Sequence, residues 1–112
     1  MTTYEFDEIM AETFIKIKGL SQTKGKEYTQ GGDRLKNFVE TGEDLDIHPM
    51  KTCFIFMKKH WDSLRSFMKY GKTHSTESIE SRIHDLILYL ILLKAILKEY
   101  PIVKEGGQNE DS

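Results

Sequence analysis

The longest regular apolar pattern in the chain follows Pro49 and stops before Gly71. Large apolar residues recur there at steps of three and four: Met50, Cys53, Phe54, Met57, Trp61, Leu64 and Met68. This spacing places them on one stripe of a helix, since proline suits a first helical turn and glycine commonly follows a last one. The pattern predicts a helix from Pro49 to Tyr70 whose stripe other helices must cover. Cys53 lies on that stripe, so we expect an inert core thiol.

Two further segments have helical periodicity. In the first, Phe6, Ile9, Met10, Phe14 and Ile17 form one apolar stripe, which predicts a helix from about Thr3 to Lys18 that ends at Gly19. The last helix is expected to begin near Thr76, capped by Ser75 or Thr76, and to end at Tyr100 before Pro101. A tight connection at 72–75 makes the two long helices antiparallel neighbours. The fold class that follows is an all-α bundle of about four helices.

The segment between the first two helices is rich in glycine and lacks a sustained period. We expect a loop from Leu20 to Gly32, and because long loops in compact domains are often functional, its polar residues Lys24, Lys26, Glu27 and Tyr28 become candidates. Asp33 then resembles the N-cap of a short helix that ends at Thr41 and Gly42.

Length and charge narrow the classes of function. A chain of 112 residues predicts one helical domain, at 1–103, followed by a polar tail at 104–112 that we expect to be disordered. A net charge of −2 disfavours nucleic acid as the main partner.

The longest apolar run, Leu86 to Leu93, is far shorter than the roughly 18 to 20 residues of a membrane span, so no membrane partner is expected. A lone cysteine and the lack of an apolar leader favour the cytoplasm, which would be the host's for a phage protein.

The last helix is apolar on nearly every side from Leu86 to Leu97. A small monomer has little surface with which to enclose such a helix, so we expect a homo-oligomer that packs through it. Leu90 lies in the part expected to be most enclosed.

Polar groups on the two long helices suggest a site. Glu77, His84 and Asp85 share one face of the last helix, and Asp85 adjoins apolar residues, where a carboxylate needs a partner or a metal. On the Pro49 helix, Lys59, His60 and Arg65 are basic. A phosphate could bind through Lys59 or Arg65, and a divalent ion through Asp85 and Glu77. The alternative is an ordinary exposed face whose lysines pair with nearby acids.

Recognised nucleotide or metal motifs such as the Walker loop, HExxH and paired cysteines are absent.

The order of several short segments resembles a known family. These segments are Lys24-Gly-Lys-Glu-Tyr28, Arg34-Leu-Lys-Asn37-Phe38, Pro49, Lys59-His60, Glu77-Ser-Ile79 and Asp85-Leu-Ile-Leu-Tyr89. The series resembles the phage and bacterial nucleotide modification associated domain family, whose members are similar to the MazG-like all-α nucleotide pyrophosphohydrolases. The resemblance implies a helical bundle, usually dimeric or tetrameric, with a phosphate and magnesium site where two long helices face each other. It assigns Glu77 and Asp85 to acidic positions that hold Mg²⁺, and Lys24 and Tyr28 to the loop positions.

The chain departs from the MazG-like pattern at the metal-binding motifs. Those hydrolases carry ExxE on one helix and ExxD on the next, whereas this chain has Lys59-x-x-Asp62 and Arg82-x-x-Asp85. A cation in place of a carboxylate favours phosphate binding without turnover. The resulting hypothesis is a MazG-like protein that binds a nucleotide or nucleotide-derived signal. It would either sequester this ligand or weakly hydrolyse a triphosphate with Mg²⁺. The candidate ligand-binding residues are Lys24, Tyr28, Lys59, His60, Arg65 and His84. The alternative is a helical oligomeric interaction module without a small-molecule site.

Overall fold

A computed structural model describes residues 1–29, 32–72 and 78–102, and for 25–29 it describes the backbone alone. Four helices make up these ranges: α1 (Thr3–Thr29), α2 (Lys36–Leu45), α3 (Pro49–Tyr70) and α4 (Ile79–Glu99). No strand occurs in the ranges described. The predicted all-α class with about four helices is therefore confirmed.

The prediction for α3 is confirmed at both ends. His48 caps its first turn by accepting a hydrogen bond from the Met50 N–H at Nδ1 (3.0 Å), and Gly71 ends it with a positive φ of 72°. The other ring nitrogen of His48, Nε2, then carries the proton and donates to the Tyr100 carbonyl oxygen at 2.9 Å. This bond joins the start of α3 to the end of α4, so α3 and α4 are antiparallel, as predicted.

The core lies where α2 packs on the α3 and α4 pair. Its buried members are Leu35, Phe38, Cys53 and Ile96. The Thr52 hydroxyl, also buried, lies 2.8 Å from the Phe38 carbonyl oxygen and so links α3 to α2. The expectation that Cys53 is a core thiol is confirmed, since it is fully buried.

The loop predicted from Leu20 to Gly32 is wrong over most of its length, because α1 continues without a break to Thr29. Ile17 and Leu20 are buried or half-buried, and Lys24 is tied to α4 by an ion pair. A glycine inside a helix is unfavourable by about 1 kcal/mol, and contacts with another helix can offset that amount. Gly19 and Gly25 therefore did not end the helix as their residue type suggests.

The predicted bounds of α2 are also wrong. Asp33 does not cap the helix directly: its side chain accepts from the Leu35 N–H at 2.9 Å, and α2 begins at Lys36. Gly42 does not end the helix but lies buried inside it. The helix ends at Leu45, where Asp46 takes the left-handed conformation with φ of 57°.

The start of α4 differs from the prediction by a few residues. Ser78 is the N-cap, with its Oγ accepting from the Ser81 N–H at 3.1 Å, and the helix begins at Ile79. The predicted caps Ser75 and Thr76 lie outside the described residues, as do Glu77 and the tail at 104–112. At the other end, α4 stops at Glu99 with Tyr100 as its cap, close to the prediction.

Helix α1 runs parallel to α4 and packs on it only with its second half. Lys16 pairs with Glu80, and Lys24 with Asp85, so both helices advance in the same direction. The half of α1 before Lys16 precedes the first turn of α4, and every residue from 1 to 12 is exposed. Within α4 most of the apolar segment is covered, while Leu90 and Ile91 are about half exposed. None of the helices in the described ranges has the length and apolar character needed to cross a membrane.

Candidate functional site

A pocket of about 450 Å³ opens among all four helices, and we call it the central pocket. It is lined by Lys24 of α1, by Arg34, Asn37 and Phe38 at the start of α2, by Phe56, Lys59 and His60 of α3, and by Asp85, Leu88, Tyr89 and Leu92 of α4. Cationic, acidic and aromatic side chains are thus combined in one cavity.

The innermost charged group of the central pocket is the carboxylate of Asp85, which is only 5% exposed. Lys24 reaches it from α1, with Nζ 3.3 Å from Oδ1. Because a buried carboxylate needs a partner, this ion pair explains how α4 carries an acid in its otherwise apolar stretch. The pair also brings the amine of Lys24, about a third of whose side chain is exposed, to the pocket wall.

His60 lies beside Asp85 and is equally buried. Burial lowers its pKa below the ordinary value near 6.5, and nearby Lys59, Arg82 and Lys24 lower it further, against the opposing effect of Asp85. The ring is therefore neutral at pH 7, and Nδ1 accepts a hydrogen bond from Arg82 Nη1 at 2.9 Å. The same nitrogen lies 3.4 Å from Asp85 Oδ2, a contact that would be an ion pair only with a protonated ring. In the neutral ring Nε2 carries the proton and is a hydrogen-bond donor.

Three further polar groups line the central pocket at its exposed rim. Arg34 is held there because one of its guanidinium nitrogens donates to the Ser21 carbonyl oxygen of α1 at 3.0 Å. Lys59 and Asn37 are exposed on α3 and α2. The rim thus offers two cations and one amide in addition to Lys24.

One wall of the central pocket is aromatic. The Phe38 ring lies 5.5 Å from Phe56 and 6.4 Å from Tyr89, between ring centroids, and Tyr89 lies 5.4 Å from the His60 ring. These distances are those of favourable aromatic pairs, so the rings support one another in fixed orientations. Phe56 is partly exposed and Tyr89 half-buried, which leaves part of each ring surface open to the pocket.

The structure brings together four of the site residues suggested by the sequence: Lys24, Lys59, His60 and Asp85. Arg65 lies elsewhere, in an apolar groove with Trp61 and Met68, and His84 lines a shallow depression between α1 and the start of α4. Tyr28 has no described side chain, and Glu77 is outside the described residues. The expected metal site therefore has one described member, Asp85, and no group of three or more potential metal-ligating side chains occurs in the described part of the chain.

Sequence reasoning about charge missed the aromatic wall, and it did not predict the contact of Arg82 with His60. Phe56 lies three and four residues before Lys59 and His60, and Leu88 and Tyr89 lie three and four residues after Asp85. Positions at these spacings share a helix face, so the helical neighbours of the polar candidates were the available signal. Arg34, Asn37 and Phe38 belong to one of the segments on which the family resemblance rests.

Comparison with protein-family models, with curated proteins and with solved structures finds no match to this chain.

Proposed function

We propose that this protein binds a phosphorylated nucleotide, or a signal derived from one, in the central pocket and sequesters it without turnover. The observation that carries the proposal is the combination, in one cavity, of three cationic side chains with an aromatic wall. Nucleotides pair an anionic phosphate with a planar base and so match both kinds of surface. The proposal includes a MazG-like fold and a cytoplasmic location, which rest on the resemblance and composition given above.

The phosphate is assigned to Lys24, Arg34 and Lys59. Arginine can bind two phosphate oxygens at once, and lysine adds a compact positive charge. The neutral His60 contributes an N–H donor without adding charge. Since Asp85 neutralises one of the three cations, the pocket keeps about two positive charges for a ligand.

The base is assigned to the aromatic wall. Stacking of a base on an aromatic side chain contributes about 1–3 kcal/mol in complexes with single-stranded nucleic acid. Phe56 and Tyr89 present such surfaces, and the Asn37 amide offers both a donor and an acceptor to a base edge. These groups would distinguish a nucleotide from free phosphate.

Binding without turnover is favoured by the state of Asp85. The carboxylate that the resemblance assigns to Mg²⁺ is paired with Lys24 at 3.3 Å, and a divalent ion would have to displace that amine. Magnesium sites that act on phosphates use several carboxylates. Magnesium-dependent hydrolysis of a nucleoside triphosphate is the second candidate, favoured by the presence of a buried carboxylate in the pocket.

The proposal is tested by calorimetric titration of nucleoside mono-, di- and triphosphates, with and without Mg²⁺, followed by chromatography of the nucleotide. Lys59→Ala should weaken binding about tenfold or more, since a charge-assisted contact contributes about 1.5–3 kcal/mol. Lys58→Ala is the matched control, because Lys58 is the adjacent exposed lysine but pairs with Asp62 at 2.8 Å outside the pocket. Equal effects of the two variants, or no binding by any nucleotide, would contradict the proposal.

Asp85→Asn separates the two candidates. It removes the charge that holds Lys24, so a phosphate site should bind its ligand as tightly or more tightly and without a metal effect. A magnesium site should instead lose metal-dependent binding and any release of pyrophosphate. If no nucleotide or divalent ion changes the melting temperature, the alternative of an interaction module without a small-molecule site is preferred.

A further inference from the structure

The first half of α1 is an apolar arm against which none of the other described residues packs. Phe6, Ile9, Met10 and Phe14 are each about half exposed there, although Ile17, on the same stripe, is buried. At about 1.5 Å per residue the segment from residue 3 to residue 15 extends roughly 20 Å before the point where Lys16 meets α4. The stripe that attaches α1 to the protein thus continues into solvent, and we call residues 3–15 the arm.

Between α3 and α4, on another side of the molecule, lies a second apolar surface that no other described segment covers. This groove is lined by Trp61, Leu64, Arg65, Met68, Lys69 and Ile83, and Met68 is 78% exposed. Ile83 faces the groove, whereas Glu80, His84 and Asp85 face α1. Helix α1 packs on the side of α4 that carries Glu80, His84 and Asp85. Because α1 is straight, its first half cannot reach the groove on the other side of α4 in the same chain.

The two surfaces are complementary in charge. The arm carries Glu5, Asp7, Glu8 and Glu12 and no basic residue. Arg65 and Lys69 line the groove. Asp62, on the same helix, lies 2.8 Å from Lys58 and 3.9 Å from Arg65, so this single carboxylate is shared between two cations and leaves the described side chains of the groove with a net positive charge. An acidic apolar helix and a basic apolar groove on the same chain fit each other in the way that complementary interfaces do.

We propose that a second copy of this chain occupies the groove with its arm, and that the exchange is reciprocal, giving a closed two-fold dimer. Each arm offers roughly 400 Å² of exposed apolar surface, at about 100 Å² for each half-exposed large side chain, and the exposed Trp61, Met68 and Ile83 give each groove roughly 300 Å² at the same rate. Together they give roughly 700 Å² per copy, within the range of standard stable interfaces. A two-fold exchange uses both surfaces on both copies and leaves neither open for further growth. The assembly is placed on the arm and groove and not on the Leu90 face of α4.

Sedimentation velocity tests the dimer with variants at exposed positions, which a folded single chain tolerates. The wild type should be a dimer at micromolar concentration. Phe14→Glu in the arm and Met68→Glu in the groove should each raise the dimer dissociation constant at least tenfold. Phe54→Glu, at an equally exposed position of α3 outside the groove, and Leu90→Asp on α4 should leave the dimer intact. A monomeric wild type, or dissociation by Leu90→Asp but not by Phe14→Glu, would overturn the proposal.

Charge reversal provides a test that loss of folding cannot imitate. A copy with Asp7→Lys, Glu8→Lys and Glu12→Lys has a basic arm and a basic groove, and a copy with Arg65→Glu and Lys69→Glu has both surfaces acidic. Each copy alone should be largely monomeric, and an equimolar mixture should form a heterodimer, because both contacts then pair opposite charges. Failure of the mixture to associate would overturn the reciprocal arrangement.

Discussion

His60 shows how one residue takes its chemical state from its surroundings. It lies beside a carboxylate, which favours a charged imidazole, yet burial and three neighbouring cations favour the neutral ring. The Arg82 donor at 2.9 Å requires a lone pair on Nδ1 and so agrees with the neutral form. The protein therefore gains a buried hydrogen bond between two residues that would repel each other if both were charged.

The lowered pKa of His60 predicts how stability depends on pH. Below its ordinary pKa near 6.5 the unfolded chain binds a proton at His60 while the folded chain does not, so this residue makes the folded state less stable as pH falls from 6.5 toward the lowered value. Above 6.5 its contribution is constant. Denaturant unfolding between pH 8 and pH 5 should therefore show a steeper fall in the free energy of unfolding for the wild type than for His60→Asn. The asparagine retains a hydrogen-bond acceptor near the position of Nδ1. Parallel curves for the two proteins would show that His60 does not titrate in this way.

The residues of the central pocket divide by how well sequence reveals them. Lys24, Lys59 and Asp85 are charged residues next to apolar ones, and that conflict is visible in the sequence. Phe56 and Tyr89 are apolar or aromatic residues on apolar helix faces, where core packing and ligand contact look the same. Only the arrangement of helices shows which of these rings face a cavity.

Among the elements, α3 was predictable because proline, a long apolar stripe and glycine all agree on its bounds. The second half of α1 was not, because its glycines and polar residues favour a loop locally and only contact with α4 favours the helix. Helix α2 is short, and its bounds depend on a close approach between backbone segments. Local signals therefore predicted the elements that carry their own apolar stripe and failed for those that depend on a neighbour.

Gly42 in α2 is the position where that close approach is most demanding. A Cβ there would lie 2.7 Å from the Ile47 carbonyl oxygen, a backbone atom in the turn that leads to α3. Gly42→Ala should lower the free energy of unfolding by about 1–3 kcal/mol, because the turn must shift. Gly19→Ala is the control: nothing lies within 4 Å of its Cβ position inside α1, so a gain of about 0.5–1 kcal/mol is expected. Urea unfolding measures both, and a neutral Gly42→Ala would show that the turn can relax.

At the scale of the whole molecule, the central pocket is the place where all four helices meet. Among helix pairs, α1 packs mainly on α4, and the Arg34 contact with Ser21 links it to the segment before α2. A phosphate held by Lys24, Arg34 and Lys59 would connect α1 to α2 and α3 through the ligand. The proposed ligand is therefore also a structural bridge.

This bridging role predicts a pattern of hydrogen exchange. Saturating nucleotide should slow amide exchange in the second half of α1, from residue 16 to residue 24, because its detachment from α4 would break the phosphate contacts. Exchange in the arm should not respond to nucleotide, since the arm lies outside the pocket. Lys59→Ala should abolish the response at the same nucleotide concentration. Uniform protection of both halves of α1 would contradict the bridge.

The position of Cys53 gives the protein a built-in reporter of its own opening. It is the chain's one thiol, fully enclosed where α2 meets the long helices, and burial raises its pKa from 9.0 to about 11. Both accessibility and thiolate content are therefore low while the core is closed, and both increase when α2 separates from α3 and α4. The rate at which a thiol reagent modifies the unaltered protein accordingly counts these openings, so the lifetime of the closed core can be followed without attaching a probe.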